Sequence, residues 1–172
     1  MVGSSLNPVS TNPATVAIRS AVRECLSGCS AGDTVLVAVS GGADSLALAA
    51  ALVPESKSAL INLVGVTIDH QLQKNSSEQA TKVFAQLSEL GISQIEIVKV
   101  DVEMVDGLEA SARRARYAAL DAVAEKLNAN LIFLGHTLND QAESVLLGLA
   151  RGSGARSLSG MARCTGKYCH HF

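Results

Sequence analysis

The sequence predicts an α/β protein with a doubly wound parallel sheet of about five strands and helices on both faces. Three observations carry this. Short apolar runs of strand type alternate with longer helical patterns four times along the chain, which is the signature of βα units joined by crossovers. Three of the strand-like runs end in clusters of polar or small residues, and ligands of such folds sit outside the carboxyl ends of the strands. Apolar residues make up 48% of the chain and aromatics only 3%, with no Trp. The core must therefore be built from Ala, Val, Leu and Ile, a composition suited to helices packed on a parallel sheet.

Residues 1–12 read as a disordered polar lead. Asn12 and Pro13 then mark a helix start, and Val16, Ile18, Val22, Cys25, Leu26 and Cys29 supply an apolar stripe up to Gly28. Thr34–Val39 reads as a buried strand. After a turn, Asp44–Val53 reads as a short, nearly all-apolar helix that Pro54 ends. Ile61–Ile68 is a second strand running into Asp69 and His70. Asn75–Leu90 is a helix, with Ser76 as cap, Gln79 three residues on and Gly91 past its end. Gln94–Val100 alternates as a third strand, and an acidic turn with four carboxylates follows. Glu109–Leu127 is the longest helix, Leu131–Leu134 a fourth strand ending at Gly135 and His136, and Asp140–Ala150 a further helix before a Gly/Ser/Arg-rich stretch.

The totals restrict the function classes. A chain of 172 residues fits one domain and can bury a core without disulfides. Its net charge of −2 gives no global attraction to polyanions, so any nucleic acid would need a local basic patch. Neither Cys25/Cys29 nor Cys164/Cys169 has the spacing of a zinc ribbon or redox motif, and all four are expected to be free thiols. No apolar run approaches the ~18 residues of a membrane span, and no basic leader precedes the first helix. A cytoplasmic protein is expected.

The clearest chemical signal is Ser40-Gly41-Gly42-Ala43-Asp44-Ser45, between the first strand and its helix. Small residues let a backbone approach a phosphate, and the helix start aims its N–H groups at the same place. A Gly-rich turn made for steric reasons alone is the bland alternative. Asp140 and Glu143 have capping-box spacing, yet two carboxylates one turn apart could also hold an ammonium group or a metal ion. Arg113, Arg116 and Tyr117 share neighbouring faces of the longest helix. Together with Arg151, Arg156, Arg163 and Lys167 they could supply the basic patch, or simply a solvated face. His70 and His136 each follow a strand, where a His satisfied within the core is the commoner outcome.

The hexapeptide resembles the S-G-G-x-D-S phosphate loop of the ATP pyrophosphatases, whose fold is Rossmann-like, of the adenine nucleotide alpha hydrolase kind. Further segments narrow the resemblance. They are Asp69-His70-Gln71-Leu72 with Ser76, Glu109 through Tyr117 with Arg113 and Arg116, Leu134 through Glu143 with His136 and Asp140, Gly148 through Gly154 with Arg151, and Leu158 through Met161. In order and spacing they resemble the N-terminal catalytic domain of the tRNA(Ile)-lysidine synthetase family, over roughly residues 34–161. Gln73 departs from the Arg often found there.

The resemblance implies an ATP-dependent carbon–nitrogen ligase with ATP and Mg2+ as cofactors, and with free L-lysine and tRNA(Ile) bearing a CAU anticodon as partners. It leaves a homodimer open. Ser40, Gly41, Gly42, Ala43, Asp44 and Ser45 would bind ATP, with Asp44 also near Mg2+. Asp140 and Glu143 would orient lysine, Arg113 would serve catalysis, and His70, Arg116, His136 and Arg151 would touch tRNA or the activated intermediate. Because the family continues into a further strand and tRNA-binding helices, residues 13–161 are expected to be the catalytic domain and 162–172 a truncated tail. A tRNA thiolase of the same superfamily and a non-catalytic adenine-nucleotide binding module remain the alternative readings.

Overall fold

A computed structural model describes residues 13–69, 71, 76–101, 107–135 and 164–171. Its elements run α1 (Pro13–Leu26), β1 (Thr34–Ala38), α2 (Ala43–Ser58), β2 (Asn62–Asp69), α3 (Ser76–Glu89), β3 (Gln94–Lys99), α4 (Leu108–Leu127), β4 (Ala129–Gly135), β5 (Cys164–Thr165) and β6 (Tyr168–His171). The strands form one sheet in the order β3-β2-β1-β4-β6-β5. All neighbouring pairs are parallel except β5 against β6. The expected doubly wound α/β architecture is therefore present, with five parallel strands and one antiparallel strand at the edge.

Side-chain alternation along the strands splits the core into two layers. Val35 and Val37 of β1 and Phe133 of β4 pack with Val22 and Leu26 of α1, Leu48 and Leu52 of α2, and Val83 and Leu87 of α3. Leu36 of β1, Ile132 and Leu134 of β4, and Val64 and Val66 of β2 turn to the other face, against Leu120, Val123 and Ala124 of α4. The chain steps from β1 outward to β2 and β3, then returns past β1 to β4. The covering helix changes face at that reversal, which places the topological switch point between the carboxyl ends of β1 and β4.

Three local expectations need correction. Helix α2 does not end at Pro54 but runs through it to Ser58. Proline removes one N–H from the helix ladder, and the turn beyond it is held by tertiary contacts. Glu55 is buried, at 6% exposure, and accepts hydrogen bonds from Arg19 Nε at 2.7 Å and Arg23 Nε at 3.0 Å, both on α1. Val16, counted in the α1 stripe, is exposed. The third correction concerns the cysteines: Cys164 and Cys169 form a disulfide, while Cys25 and Cys29 are thiols. The antiparallel register sets Cys164 opposite Cys169 with 4.0 Å between Cα atoms, and Gly166 turns the hairpin with φ of 60°. Nothing in a four-residue spacing announces that turn.

The segment read as a tail carries structure. Tyr168–His171 pairs with Ile132–Gly135 and extends the sheet beyond β4. Tyr168 anchors it to α4. Its hydroxyl donates to Asp121 Oδ1 at 2.6 Å, Lys167 Nζ lies 2.7 Å from the same oxygen, and the Tyr168 ring meets Tyr117 edge-on at 5.1 Å between centroids.

Candidate nucleotide site

The turn Ser40–Ser45 leaves β1 at the switch point and opens α2. Gly41 adopts φ of +90°, and a Cβ there would stand 2.5 Å from Gln79 Nε2 and 2.8 Å from Val83 Cγ2 of α3. Only glycine meets both conditions. Gly42 is the N-cap of α2 in an extended conformation, with no side chain capping the helix. The first-turn N–H groups lack intrahelical partners by helix geometry, so this uncapped end presents donors and the positive end of the helix dipole to an anion. Ser40, Gly42, Ala43 and Asp44 are exposed, and Asp44 stands in that first turn.

Ser45 behaves differently from its neighbours. It is 3% exposed, its hydroxyl donates to the Gly42 carbonyl at 2.9 Å, and its Oγ lies 3.4 Å from Ser40 Oγ. The Ser45 hydroxyl thus braces the turn from inside. Gly135, at the end of β4, closes the other wall. A Cβ on Gly135 would stand 2.8 Å from Ser45 Cα and 3.0 Å from Ser45 N, so α2 starts in backbone contact with β4. That contact sets the carboxyl end of β4 beside the phosphate turn.

Asp69 ends β2 at 2% exposure. Hydrogen bonds from the Ser76 side chain and then the Gln71 backbone hold its carboxyl below the usual carboxylate range against the cost of burial, with help from Ser77 and the Lys99 charge. Ser76 therefore reaches Asp69, and Gln79 lies against Gly41. Asp69 fastens the start of α3 to the sheet and thereby sets Gln79 and Val83 over the turn.

On the opposite face, Arg113 is exposed and its guanidinium carbon lies 5.5 Å from the Tyr117 ring centre. Burial first, and then the Arg113 charge, push the His170 imidazole below its ordinary value. Arg116 is half-buried, and its Nε has no hydrogen-bond partner among the described residues. His70, His136, Asp140, Glu143 and Arg151 lie outside the described residues. Of the expected site, the structure gathers Ser40–Ser45 in one turn and sets Arg113 and Arg116 on the helix across the sheet. Gln79, Val83 and the Ser45–Gly135 contact were missed. Gly135 carried a faint signal as a glycine closing a buried strand, whereas the spacing of Gln79 pointed only to a helix start.

A parallel sheet with an uncapped, glycine-rich turn at its switch point defines a nucleotide-phosphate-binding α/β domain. The chain matches the PP-loop domain over residues 14–171 and belongs to that ATP-binding family. It is 51% identical over 160 residues to a tRNA(Ile)-lysidine synthase of Thermobifida fusca, covering 93% of this chain and 49% of the relative. It is 56% identical over 132 residues to the tRNA(Ile)-lysidine synthase of Streptomyces coelicolor, covering 77% and 38%. The chain thus spans about half or less of the length of these curated relatives. Among solved structures it is similar in fold to the U34-tRNA thiolase NcsA from Methanococcus maripaludis with its 4Fe-4S cluster. The TM-score is 0.71 at 19% identity, over 90% of this chain and 57% of that one.

Proposed function

We propose that the chain carries the ATP-dependent half of a tRNA(Ile)-lysidine synthase. The observation behind this reading is the uncapped Ser40–Ser45 turn at the switch point, in a chain 51% identical to such an enzyme over most of its length. In the proposed reaction the C2 oxygen of the wobble cytidine attacks the α-phosphorus of ATP, and pyrophosphate leaves. The N–H groups at the start of α2 bind the leaving group as its charge grows, which lowers the barrier without reorganisation. The amine of free lysine then attacks C2, and AMP departs.

The exposed Asp44 carboxylate is a hard oxygen donor beside the phosphate turn and fits Mg2+, which when bound would neutralise pyrophosphate charge. Asp140 and Glu143 are proposed to hold the lysine ammonium, and His70, His136, Arg113, Arg116 and Arg151 to meet tRNA or the adenylated base. Two measurements test this. Labelled lysine should enter tRNA(Ile) in the presence of ATP and Mg2+, and Asp44→Asn should depress pyrophosphate release far more than it lowers the melting temperature. Pyrophosphate release without lysine transfer, on a folded protein supplied with tRNA, would refute the lysidine assignment. Unchanged turnover in Asp44→Asn would remove Asp44 from the mechanism.

A further inference from the structure

Three of the four cysteines meet on the face of the sheet covered by α1. Cys25 comes from the last turn of α1, and Cys164 and Cys169 face one another across the β5–β6 hairpin. Their sulfur atoms all lie within 4.8 Å of one another, and Cys25 Sγ is 3.2 Å from Cys164 Sγ. A disulfide engages two of these sulfurs, and the third stands beside them. We propose that in the reduced protein Cys25, Cys164 and Cys169 form a three-thiolate site for a thiophilic divalent cation of the zinc type.

The geometry suits one ion. Tetrahedral zinc with Zn–S bonds of about 2.3 Å sets its sulfur ligands about 3.8 Å apart, within the range these atoms already occupy. The surroundings suit a cation as well. Cys25 sits in the last turn of α1, at the negative end of the helix dipole, a place that favours positive charge and penalises thiolates lacking a counter-ion. Cys169 is 1% exposed and packs with Val22, Leu26 and Phe133, giving an apolar wall. Cys25 and Cys164 are half-buried and leave a route of entry. The fourth position is left to water or an external ligand.

The chemistry balances with a dithiol reductant. Two electrons pass to the Cys164–Cys169 disulfide, its S–S bond breaks, both sulfurs become thiols, and the reductant leaves as its own cyclic disulfide. Metal entry then displaces one proton from each of the three thiols to solvent, with no further electron transfer. Such a site ties the N-terminal helix to the edge of the sheet.

The test uses the full chain, reduced with a dithiol, freed of it without oxygen, and titrated with Zn2+ against a chromophoric chelator and separately with Co2+. One equivalent should bind tightly, and Co2+ should give thiolate-to-metal charge-transfer absorption. Alkylation mapped by mass spectrometry should show that Zn2+ shields Cys25, Cys164 and Cys169 and spares Cys29. Cys25→Ser should weaken binding by about 100-fold or more, beyond the usual effect of removing an outer partner of a ligand, while Cys29→Ser should leave it unchanged. If Cys25→Ser fails to fold, the alkylation map on the unsubstituted chain decides alone. Absence of a tight equivalent, shielding that omits Cys25, or a disulfide that resists the dithiol would each overturn the proposal.

Discussion

At the residue scale, the phosphate turn depends on two glycines whose missing side chains are filled by other parts of the fold. Gly135→Ala would drive a methyl group into Ser45 Cα and N, both backbone atoms that cannot swing aside. We expect it to cost about 1–3 kcal/mol of stability, as overpacking does, and to weaken ATP binding by shifting the start of α2. Thermal unfolding and calorimetric titration check the two parts, and a stable protein with normal affinity would contradict the contact. Glu55 gives a pH-dependent counterpart. The Arg23 hydrogen bond first, assisted by Arg19 and opposed by burial, holds its carboxyl below the ordinary range. A depressed folded value means that its stabilisation is complete above the unfolded value of about 4.3 and is lost as pH falls through the folded value. Urea unfolding should therefore show Glu55→Gln less stable than the parent at neutral pH, with the gap closing in acid. A gap independent of pH would refute the ion pair.

At the scale of elements, β6 is the strand most exposed to a local test, since it joins the sheet through four residue pairs with β4. Tyr168→Phe removes the donor to Asp121, whose carboxyl is held below its usual range by Lys167 first and Tyr168 second. The expected loss is about 1 kcal/mol, seen as a lower melting temperature, and no loss would show that Tyr168 holds β6 through its ring alone. The same region marks where sequence reasoning stopped. Strands β1 to β4 and the helices between them were legible because each is marked locally, by a period or by a continuous apolar run. Gly91 in the left-handed region after α3 was legible for the same reason. Strand β6 is short and polar at its end, and only its pairing with β4 makes it a strand. Pro54 misled because a local breaker was outweighed by the Glu55 contacts to α1. The phosphate turn was legible since all six residues are consecutive. Its cover by Gln79 and Val83 was not, because α3 reaches it only through the fold.

For the whole molecule, charge sets what the chain can grip. The net charge is −2, and among the described residues Arg113 and Arg114 are the exposed arginines of α4. Each phosphate neutralised adds roughly 0.7–0.9 to the slope of log affinity against log salt. We expect tRNA(Ile) binding by this chain to show a slope of only a few units and an affinity no better than roughly micromolar. Filter binding at several salt concentrations measures both, and tight, weakly salt-dependent binding would show that grip comes from groups other than these arginines.

The seam between Ser45 and Gly135 has a kinetic meaning. Two backbones in van der Waals contact across the switch point cannot part like jaws without tearing the centre of the sheet, so substrates must come and go past the rim while the floor stays closed. Amide hydrogen exchange should then be slow in Val35–Val39 and Ile132–Leu134 whether or not ATP is present, with ligand-dependent protection confined to the turn and to segments beyond the strand ends. A rise in central-strand protection on ATP binding would reveal a breathing floor instead. If the floor is fixed, the rate at which spent nucleotide departs belongs to the rim, and turnover can be tuned there without touching the sheet.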